Sequence, residues 1–228
     1  MASLLSARLS SRFTLLQRTS QLIRTQHYNW IQYNTMTTTI DTNQSYQFGR
    51  FKLSPAQVFY TSPSKLTYCS VNLKPIVPGH ILVIPYNNAD RLVKLSTDEI
   101  NDLFNTAVYI AQVLEYNMST TAYNLGIQDG IDAGQSVPHV HIHILPRKKN
   151  DVENNDDIYD AIDNNEAQLS HTIEHSAQQI SQSNELKVDD ASRKPRTSDE
   201  MAAEANQYRQ WIQQYQVTHK QNNTKSSI

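Results

Sequence analysis

The sequence predicts an α+β domain built on an antiparallel sheet, and three observations lead to this fold class. Five short runs of β-branched and aromatic residues are bounded by proline, glycine or asparagine, as strands usually are. One capped stretch with helical periodicity stands between the third run and the fourth. The order β-β-β-α-β-β with short connections is typical of α+β domains. Because only 38% of the 228 residues are hydrophobic, we expect part of the chain to lie outside the packed core.

The predicted strands are short and lie in the middle of the chain. They are Val58–Tyr60, Leu66–Val71, His80–Pro85, Ala122–Ile127 and Val140–Leu145. Between the second and third strands, the segment KPIVPG contains two prolines and a glycine, which predicts a turn joining antiparallel neighbours. A loop with two glycines, over 129–137, joins the last two strands.

Two capping boxes mark the predicted helix starts. Ser96-Thr-Asp-Glu99 opens a helix whose apolar residues stay on one face to about Tyr116. Thr197-Ser-Asp-Glu200 opens a C-terminal helix over 197–217. The apolar face of this second helix is expected to dock on the domain, and it consists of Met201, Ala205, Tyr208, Trp211 and Ile212.

Residues 1–35 have the pattern of a mitochondrial targeting segment. Residues 1–40 contain four arginines and no lysine, aspartate or glutamate, and apolar side chains recur every three or four positions from Leu5 to Leu16. An amphipathic, arginine- and serine-rich, acid-free terminus is typical of mitochondrial presequences; a disordered cationic tail is the alternative. Initiation at Met36 would give a second form, which we expect in the cytoplasm or nucleus, and ribosome profiling at that codon tests this hypothesis.

A change in composition near residue 151 separates the domain over 46–150 from an acidic segment. Residues 150–190 contain eleven acidic side chains and a single lysine. A segment this polar cannot bury enough apolar surface to offset its conformational entropy. We therefore expect residues 151–196 to form a disordered insert before the C-terminal helix.

Three features exclude broad classes of protein. Cys69 is the single cysteine, so a disulfide scaffold within the chain is excluded. No run of 18 apolar residues occurs, and so we expect no membrane-spanning helix. The net charge of −2 predicts no general affinity for nucleic acid.

The strongest chemical signal is the run from Pro138 to Arg147, PHVHIHILPR, in which three histidines alternate with aliphatic residues. Side chains two positions apart share one face of a strand at a spacing of roughly 6.6–7 Å. His139, His141 and His143 are therefore predicted to form a row, with the aliphatic side chains in the core. Three alternatives follow: a solvated row on an exposed face, a zinc site, or covalent catalysis by an imidazole.

The spacing of the histidines disfavours the zinc site. About 13–14 Å separates His139 from His143 along an extended strand, too far for both to bind one ion, because zinc ligands lie about 2.1 Å from the metal. A neutral imidazole is, by contrast, a good nucleophile near pH 7. The preceding segment GIQDGIDAGQSVPH adds Gln135, Ser136 and three glycines, whose backbone can approach phosphate oxygens closely. This combination favours nucleophilic attack on a phosphate.

The alternation His-φ-His-φ-His-φ-φ, where φ is apolar, resembles the histidine-triad (HIT) superfamily. The string IQDGIDAGQSVPHVHIHILPRK is similar to its fragile-histidine-triad branch, and VNLKPIVPGHILVIP, NDDIYDAI and SDEMAAEA resemble the same branch. The resemblance covers about 46–160 and 197–212. It implies a HIT-type antiparallel sheet with a long helix and a C-terminal helix, in which two sheets join across a homodimer.

The resemblance also implies roles for the histidines. His141 matches the nucleophile, whose second ring nitrogen is oriented by the backbone carbonyl of His139. His143 matches the histidine that contacts the α-phosphate and the bridging oxygen. His80 matches a buried histidine that supports the first histidine of the triad.

Further residues match positions that bind substrate. Gln128 and Gln135 resemble the glutamines that hold the phosphates, and Asn72 matches a ribose-binding position. The phosphate-contacting loop of the family matches Gly134, Ser136 and Val137. The walls of its adenine pocket match two residues nearer the N-terminus, Phe48 and Leu53.

The implied activity is hydrolysis of diadenosine triphosphate to AMP and ADP through a covalent nucleotidyl-histidine intermediate. Asp129 and Asp132 are the only candidate carboxylates in the loop, so we expect Mg²⁺ or Mn²⁺ to enter with the nucleotide instead of occupying a dedicated protein site. The alternatives are a nucleoside phosphoramidase or adenylyl-conjugate hydrolase using the same histidine, and a signalling protein whose bound substrate complex is its output.

Overall fold

The computed structural model describes residue 40 and residues 44–152, 154–165 and 195–225, with side chains described as far as residue 219. The predicted targeting segment over 1–35, Met36 and most of the acidic insert lie outside these residues. No helix among the described residues is long and apolar enough to cross a membrane.

A five-stranded antiparallel sheet forms the centre of the domain, as the sequence predicts. The strands are β3 (Val58–Thr61), β4 (Thr67–Val71), β5 (Ile81–Pro85), β6 (Ala122–Gly126) and β7 (Ile142–Arg147). Their order in the sheet is β3-β4-β5-β7-β6, so β6 lies at one edge beside the histidine-bearing strand. Four of these ranges agree with the predicted strands to within one residue at each end. The fifth, β7, is shifted by two residues, because its pairing with β5 begins only at Ile142.

Two long helices cover one face of the sheet. Helix α1 (Thr97–Met118) begins at the predicted capping box, in which the Ser96 side chain accepts from the Glu99 N–H and the Glu99 carboxylate accepts from the Ser96 N–H. The C-terminal helix, here α3 (Ser198–Lys225), begins at the second predicted box, in which Thr197 and Glu200 exchange hydrogen bonds, and it continues past residue 217. In its predicted docking face, Trp211 packs against the core and four residues are buried in it: Met201, Ala205, Tyr208 and Ile212.

A small hairpin on the opposite face was not predicted as such. It consists of β1 (Tyr46–Phe48) and β2 (Phe51–Leu53), joined by a turn in which Gly49 has φ = 57°. Its apolar residues alternate and pack on Leu82, Ile84 and Val137. The hairpin thus forms one wall beside the histidines.

The predicted disorder of the insert is wrong for residues 157–165, which form a short helix, α2. Ile158 and Ile162, one helical turn apart, are buried against Leu145. The average composition of the acidic segment concealed this apolar pair. Helix α2 therefore forms a second wall on the same face of the sheet as the hairpin.

We predict that Ile158→Ala destabilises the protein by about 2 kcal/mol, the lower end of the cost of truncating a buried isoleucine. The measurement is the urea concentration at the unfolding midpoint, with far-UV circular dichroism as the probe, and Ile158→Ala should lower it. Asp160→Ala on the exposed face of the same helix is the matched control. Equal midpoints for the two variants would show that α2 does not pack on the domain.

Candidate active site

The three triad histidines are buried, which contradicts the alternative of a solvated row. Their residues are 0%, 1% and 0% exposed in chain order. Only His143 lies within β7, because the chain bends at residues 137–139 before the strand begins. The ring centroids of His141 and His143 are 4.8 Å apart, and the ring planes meet at 67°. The predicted straight row is therefore bent at its first member.

Two backbone groups determine the protonation of His139. The Gly49 N–H donates to Nδ1 at 3.0 Å, so this nitrogen must carry a lone pair. The proton is then on Nε2, which donates to the Pro85 carbonyl at 2.9 Å. Burial lowers the pKa of His139 to about 4, partly opposed by the hydrogen bond to Pro85. His139 is therefore a neutral structural histidine at physiological pH.

The opposite tautomer follows for His141. Its Nδ1 lies 2.8 Å from the carbonyl oxygen of His139, which can only accept. The proton is therefore on Nδ1, and in the neutral ring the lone pair is on Nε2. This geometry matches the role that the sequence resemblance implies, since a neutral imidazole with its lone pair on Nε2 is a nucleophile.

His80 supports a different histidine from the predicted one. Its Nε2 lies 2.8 Å from Nδ1 of His143, the last member of the triad. The Ile76 N–H donates to Nδ1 of His80, so His80 carries its proton on Nε2 and donates it to His143. His143 must then hold its own proton on Nε2. The neutral ring of His143 is therefore a hydrogen-bond donor through Nε2, whereas the neutral ring of His141 has its proton on Nδ1.

The reason for this difference is the register of the sheet. Leu82 of β5 is paired with His143 of β7. His80 lies two residues before Leu82, and so its side chain is on the same face of the sheet as His143. The first histidine lies beyond the end of this pairing.

The hairpin turn packs against the ring of His141. The Phe48 ring meets the His141 ring edge to face at a centroid distance of 4.9 Å and the His139 ring at 5.8 Å. Gly49 cannot be replaced without strain, since its φ is positive and a Cβ would lie 2.6 Å from Cγ1 of Val137. Phe48 and Leu53, predicted as adenine-pocket walls, belong to the apolar cluster around this turn.

The glycine-containing loop brings two buried amides to the site. Gly126 pairs with His143 across the sheet, and Gln128 follows two residues later. Gln128 and Gln135 are each 7% exposed. Oε1 of Gln128 and Nε2 of Gln135 are buried and have no hydrogen-bond partner among the described residues. An unpaired buried amide atom is costly, so these two atoms mark a place where a polar ligand belongs.

The backbone of this loop turns at two glycines. Gly130 and Gly134 have φ values of 106° and 86°, which ordinary side chains rarely adopt. Gly134 is exposed and Ser136 is half-buried. Val137, predicted to contact phosphate, is fully buried in the hairpin cluster, so its side chain holds the hairpin against the loop.

Asn72 is fully buried beside the histidines. Its Oδ1 accepts from the Lys74 N–H at 2.9 Å. Its Nδ2 lies 3.2 Å from Nε2 of His80. Both of these nitrogens carry protons, so the contact packs the amide against the ring and leaves the Nδ2 protons for another acceptor. The predicted ribose-binding residue is thus linked to His143 through His80.

Two contacts at the site were missed by sequence reasoning. Gln128 Nε2 lies 3.4 Å from the carboxylate of Asp163 on α2, and Arg196 binds the carbonyl oxygen of Asn72. Both partners are distant in sequence, and no local pattern indicates them. Gly49 had a usable signal, because the alternation in YQFGRFKL around a glycine is typical of a hairpin.

The described residues contain no group of three or more histidine, cysteine, aspartate or glutamate side chains that could hold a metal ion.

The neutral state of His139 predicts a pH dependence of stability. Since its pKa is about 6.5 unfolded and about 4 folded, the unfolded chain binds the extra proton as the pH falls. The contribution to the free energy of unfolding is fully present above pH 6.5. It falls by up to about 1.4 kcal/mol per pH unit between pH 6.5 and 4. Urea titrations across this range should show a shallower dependence for His139→Asn, and an unchanged slope would contradict the assignment.

Comparison with known proteins places this arrangement in a family. The model of the HIT domain family matches residues 52–150. A protein of Arabidopsis thaliana named bifunctional bis(5'-adenosyl)-triphosphatase/adenylylsulfatase FHIT is 44% identical over 168 residues, which are 74% of this chain and 84% of that protein. A Schizosaccharomyces pombe protein named bis(5'-nucleosyl)-tetraphosphatase [asymmetrical] is 42% identical over 175 residues, covering 74% of this chain and 92% of its own.

A solved structure agrees with the fold. The diadenosine triphosphate hydrolase of Plasmodium falciparum, crystallised with cyclomarin A, matches with a TM-score of 0.56 and 26% sequence identity. The match covers 80% of this chain and 97% of that one. With its buried triad and its sheet order, the chain belongs to the histidine-triad (HIT) family, in the fragile-histidine-triad branch.

Proposed function

We propose that the protein hydrolyses diadenosine triphosphate to AMP and ADP through a nucleotidyl-histidine intermediate on His141. The observation that carries this proposal is the hydrogen bond from Nδ1 of His141 to the His139 carbonyl, which puts the lone pair on Nε2. The relatives named bis(5'-adenosyl)-triphosphatase in Arabidopsis thaliana and Dictyostelium discoideum support the choice of substrate.

The reaction proceeds in two steps. In the first, Nε2 of His141 forms a bond to the α-phosphorus, and the bond from that phosphorus to the bridging oxygen breaks, releasing ADP. In the second, water attacks the same phosphorus, the P–N bond breaks, and AMP leaves with the oxygen of the water. Two easier transfers thus replace one difficult displacement.

Neighbouring groups stabilise the charge that moves in these steps. His143, with its proton on Nε2, donates to the α-phosphate or to the bridging oxygen as negative charge develops there. Gln135 Nε2 donates to phosphate oxygens, and Gln128 Oε1 accepts from the attacking water. These roles satisfy the two buried amide atoms that have no partner in the described part of the chain.

Binding of one nucleoside uses the hairpin side of the site. Phe48 and Leu53 supply apolar surface for the adenine, and the Nδ2 protons of Asn72 bind the ribose. Gly134 and Ser136 present backbone and hydroxyl groups to the phosphates. Mg²⁺ or Mn²⁺ enters on the polyphosphate, because adjacent phosphate oxygens are the ligands that these hard cations prefer.

A second candidate activity uses the same nucleophile with another leaving group. The Arabidopsis thaliana relative is also named an adenylylsulfatase, and the Schizosaccharomyces pombe relative is named a tetraphosphatase. The groups around His141 select the α-phosphate and one nucleoside, so sulfate, an amine or a longer polyphosphate could leave from the same position.

We also propose a homodimer formed through the β6 edge of the sheet. Leu125 of β6 is 49% exposed and is paired with Ile144, whose side chain faces the helices. On α1, Phe104 and Val108 lie one turn apart and are both exposed. An unpaired strand edge beside exposed apolar side chains is suited to pairing with a second copy.

For the nucleophile, we predict that His141→Asn lowers kcat for diadenosine triphosphate by at least about 10³-fold. The measurement is the rate of AMP and ADP release, followed by chromatography, with and without EDTA. Diadenosine tetraphosphate and adenylyl sulfate are tested as alternative substrates in the same assay. Brief incubation with α-³²P-labelled substrate should give acid-labile, base-stable label on wild type only.

His219→Asn is the matched control, since this histidine is on α3 and bonds to the carbonyl of Tyr215. It should retain wild-type turnover. Hydrolysis by His141→Asn at the wild-type rate would exclude the covalent mechanism. Tight binding of substrate by wild type without turnover would favour the signalling alternative.

For the dimer, light scattering coupled to size-exclusion chromatography should give twice the chain mass for wild type. We expect Phe104→Glu to shift the protein to the monomer, because a buried unpaired carboxylate is costly. Val217→Glu, at an exposed position on α3, should leave the dimer intact. A monomeric wild-type protein would contradict the proposal.

A further inference from the structure

The segment just before α3 reaches the substrate side of the domain through Arg196. Its guanidinium donates to the main-chain carbonyl of Asn72 from both Nε, at 3.1 Å, and Nη2. Its backbone N–H donates to the carbonyl of the next residue, Leu73, at 2.9 Å. Arg196 therefore holds two consecutive peptide groups in a turn that follows β4.

Arg196 is itself held in place. Nη1 forms an ion pair with Glu204 in the second turn of α3, and both side chains are mostly buried. The other carboxylate oxygen of Glu204 accepts from the hydroxyl of Tyr208 at 2.8 Å. Tyr208 is 3% exposed and packs edge to face on Phe59 in the core. The guanidinium thus has little freedom to leave the Asn72 carbonyl.

Three contacts hold Asn72 in place. Arg196 donates to its main-chain carbonyl oxygen, the Lys74 N–H donates to its side-chain oxygen, and the His80 ring packs against its amide nitrogen. The direction of the Nδ2 protons depends on all three contacts. Of these, only the contact with Arg196 comes from outside the strand and turn that surround Asn72.

We propose that Arg196, held by Glu204, is a positioning residue that orients Asn72 for nucleoside binding. This inference rests on the proposed function, in which Asn72 binds the ribose. Arg196 acts through Asn72 and touches no reacting atom. Its loss should weaken the binding of substrate and of the transition state alike, which raises KM and changes kcat little.

Arg209, on α3, provides a matched comparison. It also binds main-chain carbonyls, those of Pro55, Ala56 and Val58, and so fastens α3 to the domain. None of its contacts involves Asn72. A purely structural role for both arginines would therefore give both variants the same kinetic behaviour.

The experiment measures steady-state hydrolysis of diadenosine triphosphate by the full-length protein and three variants. We expect Arg196→Gln to raise KM about tenfold, the effect of losing one charge-assisted hydrogen bond, with kcat changed less than about threefold. Arg196→Lys, which keeps the charge and a single donor, should give an intermediate KM. Arg209→Gln should lower the melting temperature about as much as Arg196→Gln does, but it should leave KM unchanged.

A double-mutant cycle completes the test. In an Asn72→Ala background, Arg196→Gln should raise KM no further, because the side chain that it positions is gone. Additive effects on KM in this cycle, or equal KM values for Arg196→Gln and Arg209→Gln, would overturn the inference.

Calorimetric titration with AMP separates this inference from the proposed function. If the wild-type protein does not hydrolyse the substrate, the proposed function fails, and the same comparison of variants is made on the Kd for AMP. Weaker AMP binding by Arg196→Gln alone would still support the positioning role, and equal Kd values for all variants would refute it.

Discussion

The hydrogen bond from the Gly49 N–H to Nδ1 of His139 joins two residues 90 positions apart, and the chemistry of the site depends on it. It forces the proton of His139 onto Nε2, where the Pro85 carbonyl accepts it. The ring is thus fixed between the hairpin turn and the end of β5. With that ring fixed, the carbonyl of His139 lies where it can accept the Nδ1 proton of His141. Three polar backbone groups therefore determine which nitrogen is the nucleophile.

Backbone hydrogen bonding also fixes the tautomer of His143, but it places the proton on the opposite nitrogen from that of His141. The Ile76 N–H determines the tautomer of His80, and His80 determines that of His143. In their neutral forms, one imidazole therefore presents a lone pair and its neighbour presents a proton. A proton added to Nδ1 of His139 or of His80 would break the hydrogen bond from the Gly49 or the Ile76 N–H, so these two backbone groups keep the tautomers fixed.

Much of the fold could be predicted because its signals are local. Capping boxes, strand alternation and the His-φ-His-φ-His pattern depend on residues only a few positions apart. The partner of His80 could not be predicted, since it depends on the pairing of Leu82 with His143 between strands 60 residues apart. Helix α2 was missed because two isoleucines stand in a strongly acidic segment. The contact of Arg196 with Asn72 depends on how a distant helix packs, which no local pattern encodes.

Two residues on either side of the undescribed part of the acidic segment contact the domain at one place. Asn165, at the end of α2, donates to the Lys74 carbonyl, and Arg196 donates to the carbonyls of Asn72 and Leu73. Two positions far apart in the sequence therefore bind the same tripeptide beside the site. Closing a loop costs only about 0.6 kcal/mol more for each doubling of its length. A change in the number of residues between these two contacts should therefore cost little stability, as long as Asn165 and Arg196 keep their hydrogen bonds.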